Sequence, residues 1–161
     1  MATTLDQRVG LVDRRIELCV RSLTSRTGRV QGQAIDRLRR LESTGAIEGL
    51  SIRIWGEEVA LSTTAVETDR GRDILQRVGA FREWAAHNDV SLSPFFESRE
   101  QTSRITGEEY ATLRLPTLVM AEYADGDVVH VAPHEGHSGV HTVEDRLASL
   151  AEPTSPESLQ T

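Results

Sequence analysis

The sequence contains no lysine. Its 18 basic residues are all arginines, and they face 25 aspartates and glutamates, which gives a formal net charge of −7. An acidic surface without lysine suits a cytoplasm rich in salt, because near 1 M salt the Debye length falls to about 3 Å and repulsion is screened. A GC-rich genome, whose codons favour arginine, would also produce a composition with arginine in place of lysine. The composition favours a halophilic, cytoplasmic protein that needs molar salt to fold.

Cysteine and long apolar runs are also scarce. Cys19 is the single cysteine, so the chain has no internal disulfide, no cysteine-only metal site and no Cys-x-x-Cys redox pair. No apolar run approaches the roughly 20 residues that a membrane span requires. The opening residues MATTLDQRVG contain no apolar segment typical of a secretory signal. These absences predict a protein that does not contact a membrane and does not exchange disulfides.

The length of 161 residues fits a single domain that buries its own core. Residues 1–14 are polar without a clear face and are predicted to form a flexible N-terminal arm. Residues 15–151 are predicted to form one α/β domain, with an insertion of unknown shape at about 90–113. The tail 152–161 is rich in proline, serine and threonine and is predicted to be disordered.

Between the arm and the tail, strand and helix periodicities alternate. The pattern predicts four strands, at Ile16–Arg21, Ile47–Trp55, Leu118–Tyr123 and Val128–Ala132, and three helices, at Val30 to Gly45, Thr68 to Asn88 and after Thr142. Their order along the chain is strand, helix, strand, helix, strand, strand, helix. The Asp125-Gly126 pair predicts a tight hairpin between the last two strands. Residues 56–61 are interpreted as an extension of the second strand, and residues 106–109 fit either a helix-capping box or an ordinary turn.

This order, with Leu115-Pro116-Thr117-Leu118 leading into the third strand and a tight hairpin after it, resembles the thioredoxin and glutaredoxin family. The resemblance implies an α/β, thioredoxin-like fold: a mixed four-stranded sheet in the order β-α-β-α-β-β-α with helices on both faces. It also implies that Pro116 is a cis proline beside the functional site. A trans proline on an edge strand is the alternative.

The stretch that carries the redox cysteines in that family holds none here, because Cys19 lies inside the preceding strand. The resemblance therefore implies a redox-inactive binding module for a protein or peptide, with no catalytic residues and no cofactor. Its predicted ligand surface comprises Ser22, Thr24, Arg26, Trp55, Pro116 and Thr117. A capped helix start with solvated arginines is the plainer interpretation of the loop at residues 22–28. No phosphate-binding glycine motif and no Gly-x-Ser-x-Gly elbow points to an enzyme.

Four of the five histidines are close together in the sequence, at His130, His134, His137 and His141. Neutral imidazoles at such spacings can bind Zn²⁺, Ni²⁺ or Cu²⁺. A loop does not preset the geometry, however, and structural zinc sites usually include cysteine. The sequence therefore favours a polar surface loop, and a metal-binding protein ranks third among the possible functions.

Residues 34–54, AIDRLRRLESTGAIEGLSIRI, resemble the recognition helix and wing entry of winged helix-turn-helix regulators. The resemblance implies a DNA-binding transcriptional regulator that contacts phosphates through Arg37, Arg39 and Arg40. Two features oppose it: the segment before this helix is predicted to be a strand, and the net charge of −7 repels DNA. This regulator is the second possible function, and nucleic acid is a possible partner.

Five short motifs along the chain resemble a group of small haloarchaeal proteins that is sometimes labelled helix-turn-helix. The motifs are Val20-Arg21-Ser22-Leu23, Arg37 to Glu42, Trp55-Gly56, Phe81 to Ala85 and Thr142 to Leu147. The resemblance implies a lineage and leaves the activity and the oligomeric state open.

Overall fold

A computed structural model describes residues 14–22, 28–61, 69–102 and 104–151. It contains three helices, which we label α1 (Gly28–Ser43), α2 (Asp69–His87) and α3 (Val143–Ala151). The strands are β1 (Arg15–Val20), β2 (Gly49–Ile54), β3 (Glu58–Ala60), β4 (Ser98–Thr102), β5 (Glu109–Arg114), β6 (Leu118–Ala124), β7 (Asp127–Ala132), β8 (His134–Gly136) and β9 (Gly139–His141).

A mixed four-stranded sheet in the order β2-β1-β6-β7 forms the centre of the protein. Strand β1 pairs in parallel with β2 and antiparallel with β6, so that Val20 lies between Ile54 and Leu118. A helix between β1 and β2 provides the crossover that two parallel neighbours require. The predicted strand at Ile16–Arg21 is therefore confirmed as β1, the strand beside the one that begins at Leu118.

Side chains of a strand point alternately to opposite sides, so the apolar strands give this sheet two apolar faces. Helices cover both of them. On one face, α2 packs its buried side chains, among them Ile74, Val78 and Phe81, against Cys19 and Val119. On the other face, α1 and α3 cover a second apolar cluster, which comprises Ile16, Leu18, Val20, Ala34, Leu38, Ile47, Met120, Ala132, Val143 and Leu147. The predicted α/β architecture with a mixed four-stranded sheet is present.

The predicted insertion, whose shape the sequence left open, forms a second sheet together with part of residues 56–61. Strand β3 pairs with β5, and β5 pairs with β4, so the three strands lie in the order β3-β5-β4. The interpretation of residues 56–61 as an extension of β2 is therefore wrong, because Glu58–Ala60 takes its hydrogen bonds from β5. Leu92 and Phe96 from the same insertion are buried in the core beneath α2.

Several local signals behave as the sequence predicts. Asp125 and Gly126 have φ angles of 54° and 85° in the β6–β7 turn, which needs the left-handed conformation at both positions. Thr142 caps α3: its hydroxyl accepts from the Asp145 amide at 3.0 Å, and the Asp145 carboxylate accepts from the Thr142 amide at 2.9 Å. Residues 104–106 form a turn, the Glu108 amide donates to the Thr106 hydroxyl, and Glu109 begins β5, so a turn and not a helix start follows Thr106.

The predicted arm and tail lie outside the described residues, apart from Arg14. The prediction of a cis bond at Pro116 is wrong, since the cis peptide bond among the described residues joins Ala132 and Pro133. No helix in the described ranges is both long and apolar enough to cross a bilayer.

Candidate functional site

The carboxyl ends of β1 and β2 meet the start of β6, where the sequence predicted a ligand surface. Arg21 and Trp55 hold this junction together. The backbone amide of Arg21 donates to the carbonyl of Thr117 at 3.0 Å, and its guanidinium donates to the carbonyl of Leu115. The Trp55 indole nitrogen donates to the carbonyl of Pro116 at 3.3 Å. Three successive carbonyls of the Pro116 segment therefore accept hydrogen bonds from the protein itself.

The structure brings some of the predicted ligand-binding residues together and assigns them different roles. Trp55 is completely buried, and its ring lies edge-on to Phe96 with centroids 6.0 Å apart. Such a side chain packs a core and presents no surface to a ligand. Pro116 and Thr117 are half-buried beside it, as is Ser22. The predicted residues Thr24 and Arg26 lie outside the described residues.

Cys19 has no accessible thiol. It is fully buried on the α2 face, and its thiol donates to the Glu17 carboxylate at 3.7 Å. Burial raises the pKa of Cys19 far above its usual value, and the neighbouring negative charge of Glu17 raises it further. The thiolate that nucleophilic or redox chemistry needs does not form at neutral pH.

Glu17 is the centre of a charged network beneath α2. Arg77 of α2 donates to both Glu17 oxygens, at 2.8 and 2.9 Å, and also contacts Asp73. Arg53 of β2 and the Tyr123 hydroxyl donate to the same carboxylate at 3.4 and 3.3 Å. Burial acts to raise the pKa of Glu17, but the hydrogen bonds and charges from Arg77 and Arg53 hold it below its usual value.

Glu122 of β6 occupies a matching position on the opposite face of the sheet, where it is completely buried. Arg146 of α3 donates to both carboxylate oxygens, at 2.6 and 2.9 Å, and Arg14 donates to one of them at 2.6 Å. Burial acts to raise the pKa of Glu122, but the hydrogen bonds and charge from Arg146 outweigh it and lower the pKa. The ionised carboxylate ties β6 to α3 and to the residue before β1.

Sequence reasoning missed both networks, although a signal for each was present. A single glutamate lies among the otherwise apolar buried residues of each strand, in RIELCV and in LVMAEYA. A charge in a strand that is buried on both faces must be paired, because an isolated buried carboxylate costs several kcal/mol. The partners of these glutamates lie on other elements and are not adjacent in sequence.

Three of the four predicted histidines come together at the β7 edge of the central sheet. The ring centroids of His130, His134 and His141, which we call the histidine cluster, lie 5.0 to 5.5 Å apart. Trp84 of α2 completes the group, at 5.4 Å from the ring of His130 and 5.5 Å from that of His134.

His137 lies apart from the histidine cluster, exposed and 3.0 Å from the Asp89 carboxylate. Among the described residues, which include all four histidines, no group of three or more histidine, cysteine, aspartate or glutamate side chains is arranged to hold a metal ion. The metal interpretation therefore gains no support from the way these side chains are placed.

The three arginines predicted to contact DNA are all exposed on α1. Helical spacing places Ala34 and Leu38 towards the sheet, while Arg40 faces away from it and Arg37 and Arg39 flank it. Within the part of the chain that the structure describes, none of the three forms an ion pair. By contrast, Arg14, Arg53, Arg77 and Arg146 are all paired with carboxylates.

The segment before α1 departs from what a helix-turn-helix requires. In the described part of that segment, residues 14–22, the chain forms β1 and no helix. Strand β1 is hydrogen-bonded on both sides, to β2 and to β6. α1 is therefore presented by a strand-helix-strand unit and does not follow another helix in the described residues.

Comparison with known proteins gives one result. A family model described as a helix-turn-helix domain matches residues 11–155. No curated protein and no solved structure matches the chain. Because the match spans nearly the whole sequence, the chain belongs to this helix-turn-helix domain family.

Proposed function

We propose that the protein binds DNA through the outer face of α1, as a transcriptional regulator does. The observation that carries the proposal is that the guanidinium groups of Arg37, Arg39 and Arg40 form no ion pair with any described residue, on a helix whose inner face packs against the sheet. Membership of a helix-turn-helix domain family supports the same function. Guanidinium groups that are free of carboxylates are available to phosphate oxygens, which dominate the affinity of such proteins for DNA.

The dimensions and charge of α1 are compatible with this role. Its 16 residues extend about 24 Å, and a helix of this diameter fits the major groove. The helix carries four arginines against one aspartate and one glutamate, so its local charge is positive although the whole chain is negative. A positive patch on an acidic protein restricts the orientation in which DNA approaches.

The double variant Arg37→Gln/Arg40→Gln is expected to weaken binding to a random-sequence duplex and to reduce the salt dependence. Each phosphate contact contributes about 0.9 to the slope of log affinity against log salt, so the slope should fall by about 2. Fluorescence anisotropy at several salt concentrations measures both quantities, starting at the lowest concentration at which circular dichroism shows a folded protein.

Arg82→Gln/Arg99→Gln is the matched control, because both arginines are exposed and the net charge changes equally. Arg82 lies on α2, across the sheet from α1, and Arg99 lies on β4 of the second sheet. The control should bind as the unmodified protein does. An equal loss from both double variants, or no binding at any salt concentration, would contradict the proposal.

A second candidate is a thioredoxin-like, redox-inactive module that binds an extended peptide beside Pro116 and Thr117. The sheet order β2-β1-β6-β7, with one parallel and two antiparallel pairings, favours the thioredoxin-like fold. The burial of Cys19 favours a module without redox activity. We also propose that the protein acts in a salt-rich cytoplasm, which its lysine-free, acidic composition supports.

A pool of extended decapeptides is expected to shift the backbone amide signals of Ser22, Gly56 and Thr117 in an NMR titration. Pro116→Ala should weaken that binding about tenfold, since it removes two methylene groups worth about 0.8 kcal/mol each. Pro94→Ala is the control, because Pro94 is exposed on a different loop. Shifts confined to α1, or equal effects of the two variants, would contradict this second candidate.

A further inference from the structure

The histidine cluster joins three separate parts of the fold. His130 belongs to β7, while His134 and His141 begin and end the β8–β9 hairpin. Trp84 brings α2 into the same group of rings. The rings therefore attach a short two-stranded hairpin to the edge of the central sheet and to one of its covering helices.

Few other described contacts hold this hairpin in place. Ser91 and Glu135 form one isolated bridge with two backbone hydrogen bonds of 2.8 Å. His134 Nδ1 lies 2.8 Å from the carbonyl oxygen of Val131, the His137 ring lies 3.0 Å from the Asp89 carboxylate, and Gly136 lies beside Val90. A two-stranded ribbon of three residues a strand is not stable by itself, so its position depends on this small set of contacts.

The histidine cluster is suited to neutral imidazoles and poorly suited to cations. His130 Nδ1 and His141 Nε2 are buried, and neither has a hydrogen-bond partner among the described residues. His130 Nδ1 lies 3.4 Å from Glu122, but that carboxylate already accepts from Arg14 and Arg146.

The charged groups that face the rings come from two further elements. Glu122 on β6 and Asp145 on α3 attract a protonated ring, whereas Arg146 on α3 repels it. A proton on one ring also repels a proton on the next, because the rings are about 5 Å apart.

We propose that the histidine cluster is a pH-sensitive latch, which holds the β8–β9 hairpin against β7 and α2 while His130 and His141 are neutral and releases the hairpin when they are protonated. The latch is separate from the α1 surface proposed to bind DNA. It requires no ligand, because the change in charge occurs on the rings that make the contact.

The direction of the pH dependence follows from the environment of the rings. Burial and the charge of Arg146 lower the pKa of His130 to about 4, although Glu122 opposes them. Burial and His134 lower the pKa of His141 as well. Because these pKa values are lower in the closed state than the unfolded value of 6.5, the neutral rings stabilise the closed state fully above pH 6.5. This stabilisation is lost as the pH falls from 6.5 towards 4.

Hydrogen exchange at the amides of Ser91 and Glu135 tests the latch, since both amides donate across the bridge that the hairpin makes. After correction for the intrinsic exchange rate, their protection is expected to fall on the order of tenfold between pH 7 and pH 5. The amides of β1 should keep their protection over the same range. The fluorescence emission of Trp84 should change over the same pH range, and this change should be absent from the Trp84→Phe variant.

His141→Gln removes a titrating ring from the histidine cluster, and it is expected to flatten the pH dependence at Glu135. His87→Gln is the control, because His87 is exposed on α2 and lies outside both the histidine cluster and the hairpin. It should retain the dependence of the unmodified protein. Three results would overturn the latch: constant protection from pH 7 to 5, a parallel loss at β1 amides, or equal flattening by both variants.

Discussion

Replacing Glu122 by glutamine is expected to lower the free energy of unfolding by about 3 kcal/mol at pH 7. Glutamine has nearly the same shape and keeps a hydrogen-bond acceptor, but it removes the negative charge. Arg146 and Arg14, whose side chains are only 18 % and 27 % exposed, would then face a neutral group. The cost arises because two largely desolvated guanidinium groups lose the carboxylate that compensates them.

Urea unfolding followed by circular dichroism measures this loss, as a lower midpoint with an unchanged m-value. Glu48→Gln is the matched control: it removes the same formal charge from an exposed pair in which Glu48 and Arg15 are 54 % and 59 % exposed. That pair should contribute less than about 0.5 kcal/mol. A loss below about 1 kcal/mol in Glu122→Gln would contradict the buried network.

The same carboxylate determines part of the acid sensitivity of the protein. Because the pKa of Glu122 is lowered in the folded state, its stabilising contribution is complete above the unfolded value of 4.5. It is lost as the pH falls through the lower folded pKa. Glu17 follows the same direction, since Arg77 and Arg53 lower its pKa against the effect of burial. Loss of these two contributions starts at more acidic pH than the release of the histidine latch.

Trp55→Ala is the second change with a large expected effect, a loss of about 4 kcal/mol in the free energy of unfolding. Trp55 is completely buried, its ring packs edge-on against Phe96, and its indole donates to the Pro116 carbonyl. Alanine would leave a cavity and an unsatisfied carbonyl where β1, β2 and β6 meet. The effect would identify Trp55 as a packing residue and not as part of a ligand surface.

The preceding residue supplies the control for this variant. Ile54 is 53 % exposed at the end of the edge strand β2, so Ile54→Ala should cost less than about 1 kcal/mol. Denaturant unfolding at one salt concentration compares the two variants directly. If Trp55→Ala were as stable as Ile54→Ala, the assignment of Trp55 to the core would be wrong.

The family and the fold together define the main question about function. The chain belongs to a helix-turn-helix domain family, yet α1 follows a strand in the centre of a sheet. Both facts are compatible if α1 contacts DNA from a strand-helix-strand scaffold. The two double variants described above test this directly, because they differ in the face from which arginines are removed.

Local features of the fold were predictable from the sequence because their causes lie within a few residues. The Asp125-Gly126 turn needs left-handed backbone angles, the Thr142 cap needs a side chain three residues from its partner, and α1 and α2 show helical periodicity over several turns. Strand β1 was recognisable by its apolar alternation, although its burial on both faces and its two neighbours were not.

The sequence by itself therefore determined most helices and strands of the central sheet, the lack of a reactive cysteine pair and the positive character of α1. Only the tertiary structure decided that Glu58–Ala60 pairs with β5, that the Leu115–Pro116 bond is trans, and that three histidines share one site while His137 does not. It also decided which arginines surround Glu17 and Glu122. These features depend on contacts between residues far apart in the chain, which no periodicity in a single segment encodes.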